Sequence, residues 1–451
     1  MPKRIRQSLV LALWAGAASA IWVSVIWGRE LQRTAPEIFL GAAPLVGRNF
    51  RDGWDWRFGW GLVGAGIIAA ATVAGVVTGW FERARLRIVV GATSLGAGAF
   101  ALLLAATDGR DGILFGAADE HEYLANLAIT PPAGTFVRTF VDNIDDYSVH
   151  VRGHPPGFVV LLQALDAVGL GGAWPVAALS VLSAIAVPAA VLVAVWALAG
   201  HVWVRRSAPF LVVAPYALWM VTSADAFFSA VGACGVALVA LGVRSSGRAA
   251  LAFGVAGGTL LAMLLFLTYG GAIFLLVPLT IVIVGRRHRM AGTVRVVLGA
   301  VGAAVAVTTG WWAAGFWWFE GAALTRVEYW EGSAQFRIWN YFIFANIAAA
   351  LIAVGPATLA GLTRLRGVTM WTLVGGGLAA LVVADLSQLS KGEVERIWLI
   401  FYPWLAIAAA ALVAPLDLRL VRLGRNSHAA GWVTAQAATA ILLQAALVTK
   451  W

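Results

Sequence analysis

Five consecutive residues, Asp119-Glu120-His121-Glu122-Tyr123, put three carboxylates, an imidazole and a phenol on one short stretch of chain. A carboxylate can take a proton from a hydroxyl, and an imidazole exchanges protons near neutral pH. Asp119 is the candidate base. Glu120 either orients an acceptor hydroxyl or raises the basicity of its neighbour by like-charge repulsion, and it equally suits a solvated loop. His121 and Glu122 are auxiliary groups or simply solvated, and Tyr123 closes the cluster. His121 among these acids has the chemistry for a divalent cation, but no tight ligand spacing assigns one. Proton transfer of this kind requires no cofactor.

About thirty residues on, Val151-Arg-Gly-His-Pro-Pro-Gly157 starts another feature. His154 either contacts an acceptor or phosphate, or is the residue that two prolines fix at the start of a helix. Arginine forks suit phosphate. Arg138, Arg152, Arg326, Arg337, Lys391 and Arg396 are the cations on long or motif-bearing connections. The connection 387–398 is unusually charged for its length and makes Arg396 the first choice for an anion, then Lys391, with Arg152 beside the His-Pro-Pro element. The plainer alternative is that Glu393, Glu395 and Arg396 form surface pairs worth roughly 0–1 kcal/mol. Asp225, in Thr222-Ser-Ala-Asp-Ala226, is either a helix N-cap or an acid facing the same vestibule.

The elements that must position these groups are membrane spans. Of 451 residues, 61% are hydrophobic and 12% charged, with mean hydropathy +0.84. A water-soluble fold of this length has too much polar surface to cover for such a composition. Apolar runs between charged breaks predict about thirteen transmembrane helices, at 8–28, 58–80, 88–107, 174–199, 208–222, 225–243, 250–268, 270–285, 296–316, 341–362, 368–385, 398–416 and 428–447. The run 8–28 follows a basic start and continues past a signal-peptidase-like Ala15–Ala20, which reads as an uncleaved anchor. The class is an all-α polytopic membrane protein, a single transmembrane domain over 1–451 without a sizeable soluble domain.

Alternation gathers Lys3, Arg4 and Arg6, Arg83 to Arg87, Arg205 and Arg206, Arg244 and Arg248, Arg286 to Arg295, Arg364 and Arg366, and Arg419 to Arg425 on one face. The positive-inside rule makes that face, with the N-terminus, cytoplasmic. Nearly all carboxylates fall on the other face; Glu82 and Asp417 are the exceptions. The net charge of +10 is thus spent on short turns, which removes the case for a nucleic-acid partner. The single cysteine, Cys234, excludes a disulfide framework. Connection 108–173 becomes an extracytoplasmic loop, with Asp119 near the N-cap of a helix and Pro155–Gly169 as a helix lying at the interface.

These pieces together bring a family into view. The chain resembles the C-type polytopic membrane glycosyltransferases that use polyprenyl-phosphate sugars, such as protein O-mannosyltransferases and lipid A aminoarabinose transferases. Asp119-Glu120 with Tyr123, the His154-Pro155-Pro156 element before a juxtamembrane helix, and a span starting near Trp174 carry the likeness over residues 88–243. Gly157 departs from it, standing where many relatives carry Leu, and two spans precede the loop-bearing helix. The resemblance implies that Asp119 is the catalytic carboxylate and that the connection 386–398 meets the donor phosphate. It implies a cell-membrane enzyme that moves a sugar, of arabinose or mannose class, from a polyprenyl phosphate to a glycan, lipid or protein acceptor on the outer face. Actinobacterial cell-envelope transferases fit that description. The rival class is a membrane transporter or a lipid or glycan flippase, which places ionisable or broken-helix elements near mid-membrane; Thr268-Tyr-Gly-Gly271 is such a break in the sequence.

Overall fold

The computed structural model describes residues 3–35, 56–221, 223–413 and 425–447. Arg419, Arg422, Asp417 and residues 36–55, most of the connection between the first two expected spans, lie outside the described residues. The described chain is helical, with no sheet, as expected of backbone that must satisfy its own hydrogen bonds in lipid.

Numbering the helices of eight or more residues gives α1 Lys3–Thr34, α2 Trp60–Val77, α3 Leu86–Ala105, α4 Gly109–Ala118, α5 Gly157–Ala167 and α6 Ala173–Ala199. There follow α7 His201–Val212, α8 Asp225–Arg244, α9 Gly247–Leu265, α10 Leu276–His288 and α11 Met290–Ala313. The last four are α12 Trp318–Glu331, α13 Trp339–Leu362, α14 Val368–Leu386 and α15 Arg425–Ala446. Among the described residues, nine helices are long and apolar enough to cross a bilayer, α3 and α4 counting as one. Where residues 398–416 were expected as one span, Val394–Ile400 and Tyr402–Leu412 meet at 77°, a tenth if the bent pair counts as one span.

Two other expected spans are not helices of spanning length, and the one expected at 428–447 is α15, which is long enough but is not among those nine. Residues 208–222 are divided between the end of α7, which already contains Pro209, and a 3-10 turn at Pro215–Trp219. Proline removes backbone donors from a helix interior, so the pair of prolines ends the run. Residues 270–285 form a turn, Gly271–Phe274, and then α10, whose 13 residues rise only about 20 Å.

Helix packing relies on close backbone approach, since lipid supplies no hydrophobic force between helices. A Cβ on Gly254 would lie 2.4 Å from the Val296 carbonyl oxygen, and one on Gly258 equally close to Ala300 Cα, so α9 seats directly on α11. In α13 the backbone itself breaks at Gly355 (φ 76°) before Pro356, and Gln436 of α15 fills the gap. Its amide donates to the Val354 carbonyl at 2.6 Å and accepts from Ala357 N–H at 2.9 Å.

Polar contacts divide the helix ends into two sets. Arg205 donates to the carbonyls of Phe81 and Ala84, Arg289 to Arg244, and Arg364 to His428. Arg57 pairs with Asp108 and donates to Leu447, while Trp318 donates to Leu265. No contact in this group mixes the two faces that charge alternation separates.

Candidate functional site

The loop between α4 and α6 folds back on itself before it meets anything else. Asp119 is not at a helix start: its N–H donates to Phe115, capping the C-terminus of α4, and the chain leaves in extended geometry. Its Oδ1 accepts from the backbone N–H of His121 at 2.9 Å and from the His121 ring at 3.0 Å. Burial pushes the Asp119 carboxyl up, but these His121 hydrogen bonds outweigh it and hold it below the usual 3.8. Asn126 and Ser148 clamp the turn. Asn126 donates to the Glu122 carbonyl and to Ser148 Oγ, accepts from Ser148 N–H, and Ser148 Oγ donates to the His121 carbonyl.

The clamp decides which acids face inward. Glu120 points to solvent, with 87% of its side chain exposed. Glu122, expected to be auxiliary or solvated, is buried, its side chain 5% exposed. Tyr123 is buried too, inside a cage of His150, His154, Phe158 and Phe228. Burial, with Asp225 and Glu122 nearby, drives its phenol well above the ordinary value, so it stays protonated.

Pro155 and Pro156 lead into α5 as expected, and Gly169 (φ 81°) lies just past its end. Glycine at 157 has a physical reason. Gly157 N–H donates to the Phe266 carbonyl at 3.0 Å, and a Cβ there would lie 2.2 Å from that oxygen. A leucine cannot occupy the position without lifting α5 off the end of α9. His154 donates from Nδ1 to the His150 carbonyl at 2.9 Å, and burial brings it down to about 3, so it is neutral at physiological pH.

The connection 386–398 is no exposed loop. Asn346 of α13 holds it, donating to Asp385 and to the Ser390 carbonyl and accepting from Gly392 N–H. The Lys391 ammonium is buried, donates to the Ala334 carbonyl at 2.8 Å and sits 4.3 Å over the Trp330 ring. Burial, then Arg337, lowers its proton affinity. Lys391 thus braces the segment after α12 instead of presenting its ammonium to an anion. Arg152 also turns elsewhere: it pairs with Glu328 at 3.2 Å, and its carbonyl accepts from Thr325, both on α12.

Arg396 is the hub. Its side chain is 4% exposed, and it donates to Asp225 Oδ2 at 3.1 Å, Glu393 Oε2 at 3.2 Å and His150 Nε2 at 3.0 Å; Glu122 Oε1 is 3.9 Å away. These are buried charges, so the expectation of weak surface pairs fails. Arginine only donates, so His150 Nε2 accepts and its proton sits on Nδ1, 3.1 Å from Glu122 though out of line for a hydrogen bond. Asp225 opens α8 without capping it; its carboxylate serves Arg396. Glu393 lies between two arginines, with Arg337 donating to Oε1 at 3.0 Å. Burial pushes Glu393 up, but Arg337 and Arg396 outweigh it and hold it at about 2.

The structure therefore joins Tyr123, His154, Asp225 and Arg396 of the expected residues, leaves Asp119 and His121 at the exposed edge of the same turn, and sets Glu120, Lys391 and Arg152 apart. Sequence reasoning missed His150, read Glu122 as auxiliary or solvated, and gave Glu393 only as a surface partner of Arg396. His150 carried a signal, a second histidine one helical turn before His154. Among the described residues, no three His, Cys, Asp or Glu side chains are placed to share a metal ion. A further feature is an aliphatic cleft of about 460 Å³ between α8, α9, α10 and α11, lined by residues such as Leu261, Leu276, Leu279 and Val301. The sequence matches no protein-family model, and a search of curated proteins returns no match.

Proposed function

We propose that the protein is a membrane glycosyltransferase, moving a sugar from a polyprenyl-phosphate donor to a hydroxyl of a glycan, lipid or protein on the extracytoplasmic face. The supporting observation is the meeting of two distant connections: Glu122 and His150 of the loop 108–173 contact Arg396 of the connection 386–398. Asp119 stands at the solvent side of that meeting point. In this reading the acceptor O–H loses its proton to Asp119 as its oxygen bonds the sugar carbon, and the bond from that carbon to the phosphate oxygen breaks. Polyprenyl phosphate leaves with the electron pair, its charge met by arginine. The aliphatic cleft gives an isoprenoid tail a lining of matching chemistry. Arabinose or mannose is the favoured sugar class, and no cofactor is needed.

The test is reconstitution of purified protein with radiolabelled polyprenyl-phosphate sugars and candidate acceptors, wild type against Asp119→Ala. Label should move to the acceptor with wild type and not with the variant; equal turnover in both would sink the assignment of Asp119. Orientation follows from the basic face being cytoplasmic. An Asp142→Cys variant should react with an impermeant thiol reagent in intact cells, and protection until lysis would reverse the topology.

A second reading, a transporter or flippase, is favoured by the breaks at Gly355 and between Ile400 and Tyr402. Non-helical backbone at membrane depth often lines a substrate path. Passage of intact lipid or solute across the reconstituted bilayer without a new glycosidic bond would support that class.

A further inference from the structure

We propose that Arg337 and Arg396 form an anion site whose resident anion is Glu393, and that a phosphate headgroup displaces this carboxylate when a ligand enters. The proposal deepens the transferase reading and rests on it for the identity of the phosphate compound.

Each Glu393 oxygen is taken by a different arginine, Oε1 by Arg337 at 3.0 Å and Oε2 by Arg396 at 3.2 Å. Two oxygens of one phosphate fit the same pair of forks. Of the carboxylates around Arg396, Glu393 is the one able to leave. Its side chain is 19% exposed, against 9% for Asp225 and 5% for Glu122, so it is the most accessible to water of the three. Both arginines keep a partner when it goes: Arg396 retains Asp225 and His150, and Arg337 retains the Lys391 carbonyl. Glu393 and Gln388 both sit at φ 61°, with Gly392 at 85° between them. Left-handed backbone at two non-glycine residues is strained, and departure of the Glu393 side chain lets that connection relax. Glu393 stays ionised down to about 2, so the occupant to be replaced is an anion.

The test uses full-length protein in detergent, with binding followed by tryptophan fluorescence and by thermal unfolding. Farnesyl phosphate, inorganic phosphate and farnesol are the probes. Glu393→Gln should bind farnesyl phosphate roughly tenfold more tightly than wild type, and Arg337→Met should lose that binding. Farnesol should not compete with it. Tighter binding of inorganic phosphate as well would assign recognition to the headgroup, and a gain confined to farnesyl phosphate would add the chain to it; both support the site. If Glu393→Gln does not fold, Glu393→Asp, which keeps the charge on a shorter arm, should show a smaller gain. Unchanged or weaker affinity in the folded Glu393 variant, or wild-type affinity in Arg337→Met, overturns the proposal. Sugar transfer by wild type with no affinity gain in Glu393→Gln sinks the anion site alone, whereas the gain without transfer from any sugar donor sinks the transferase reading alone.

Discussion

Asp225 and Arg396 are 171 positions apart, and their side chains meet at 3.1 Å with 9% and 4% of their surface exposed. A pair so buried recovers its desolvation cost only while both partners are present, so removing one is far worse than removing both. Asp225→Ala should therefore destabilise the protein by about 3–5 kcal/mol. Asp225→Leu combined with Arg396→Met should recover only part of that loss, because Glu122 then loses its arginine while Glu393 keeps Arg337. Thermal unfolding in detergent measures both. A neutral Asp225→Ala would mean that the pair is solvated and that the hub does not join the two connections.

How much of this hub was legible beforehand depended on the residue. Arg396 stood out because a cation in a short connection on the acidic face has few explanations. Its partners did not, because which of Asp119, Glu120 and Glu122 turns inward is set by the Asn126–Ser148 clamp, a contact across 22 positions. Hydropathy placed α6, α8, α9, α13 and α14 to within a few residues, since a span of about 20 apolar residues is a strong signal. It gave 208–222 as one unbroken apolar run because hydropathy ignores the backbone, although Pro209 and Pro215 were visible in the sequence. Nothing local in 386–398 told that Asn346 would draw it inward, since that contact comes from another helix.

Gly157→Ala tests the seat of the His-Pro-Pro helix. The atom its Cβ would strike is backbone, which cannot swing aside, so α5 or the end of α9 must shift at a cost of about 1–3 kcal/mol. Gly134→Ala is the matched control on the same loop, where the nearest atom is the end of Arg138, 3.8 Å away. Limited proteolysis and thermal unfolding should separate the two variants. Equal tolerance would show that α5 does not depend on the approach to Phe266.

The Asp119–His121 contact makes a signed prediction about pH. A folded-state carboxyl held below its unfolded value stabilises the fold above that unfolded value, and the gain is lost as pH falls through the folded one. His121 hydrogen bonds hold Asp119 below 3.8 against burial, which pushes the other way. His121→Ala removes the ring bond and lets burial act, so Asp119 should protonate at higher pH. If Asp119 is the base, the acid limb of the pH–rate profile moves to higher pH in His121→Ala, while Asp119→Asn lowers the rate about 10²–10⁴-fold throughout. A limb that stays in place would separate the contact from the reaction.

Gln436 offers the last test, at the break in α13. Pro356 has no N–H and Gly355 leaves helical geometry, so Val354 C=O and Ala357 N–H turn to a side chain from α15. The carbonyl has a second donor, Thr358 Oγ1 at 2.7 Å. Gln436→Leu keeps the bulk and removes both hydrogen bonds; the carbonyl falls back on Thr358, and the Ala357 donor is stranded where no water replaces the amide. One stranded buried donor costs about 1–3 kcal/mol, which thermal unfolding resolves. Thr358→Val should cost less alone, since Gln436 still serves the carbonyl, and more than additively with Gln436→Leu, which strips Val354 of both donors. Strict additivity would mean that the two side chains do not share that oxygen, and that the break in α13 is held by packing alone.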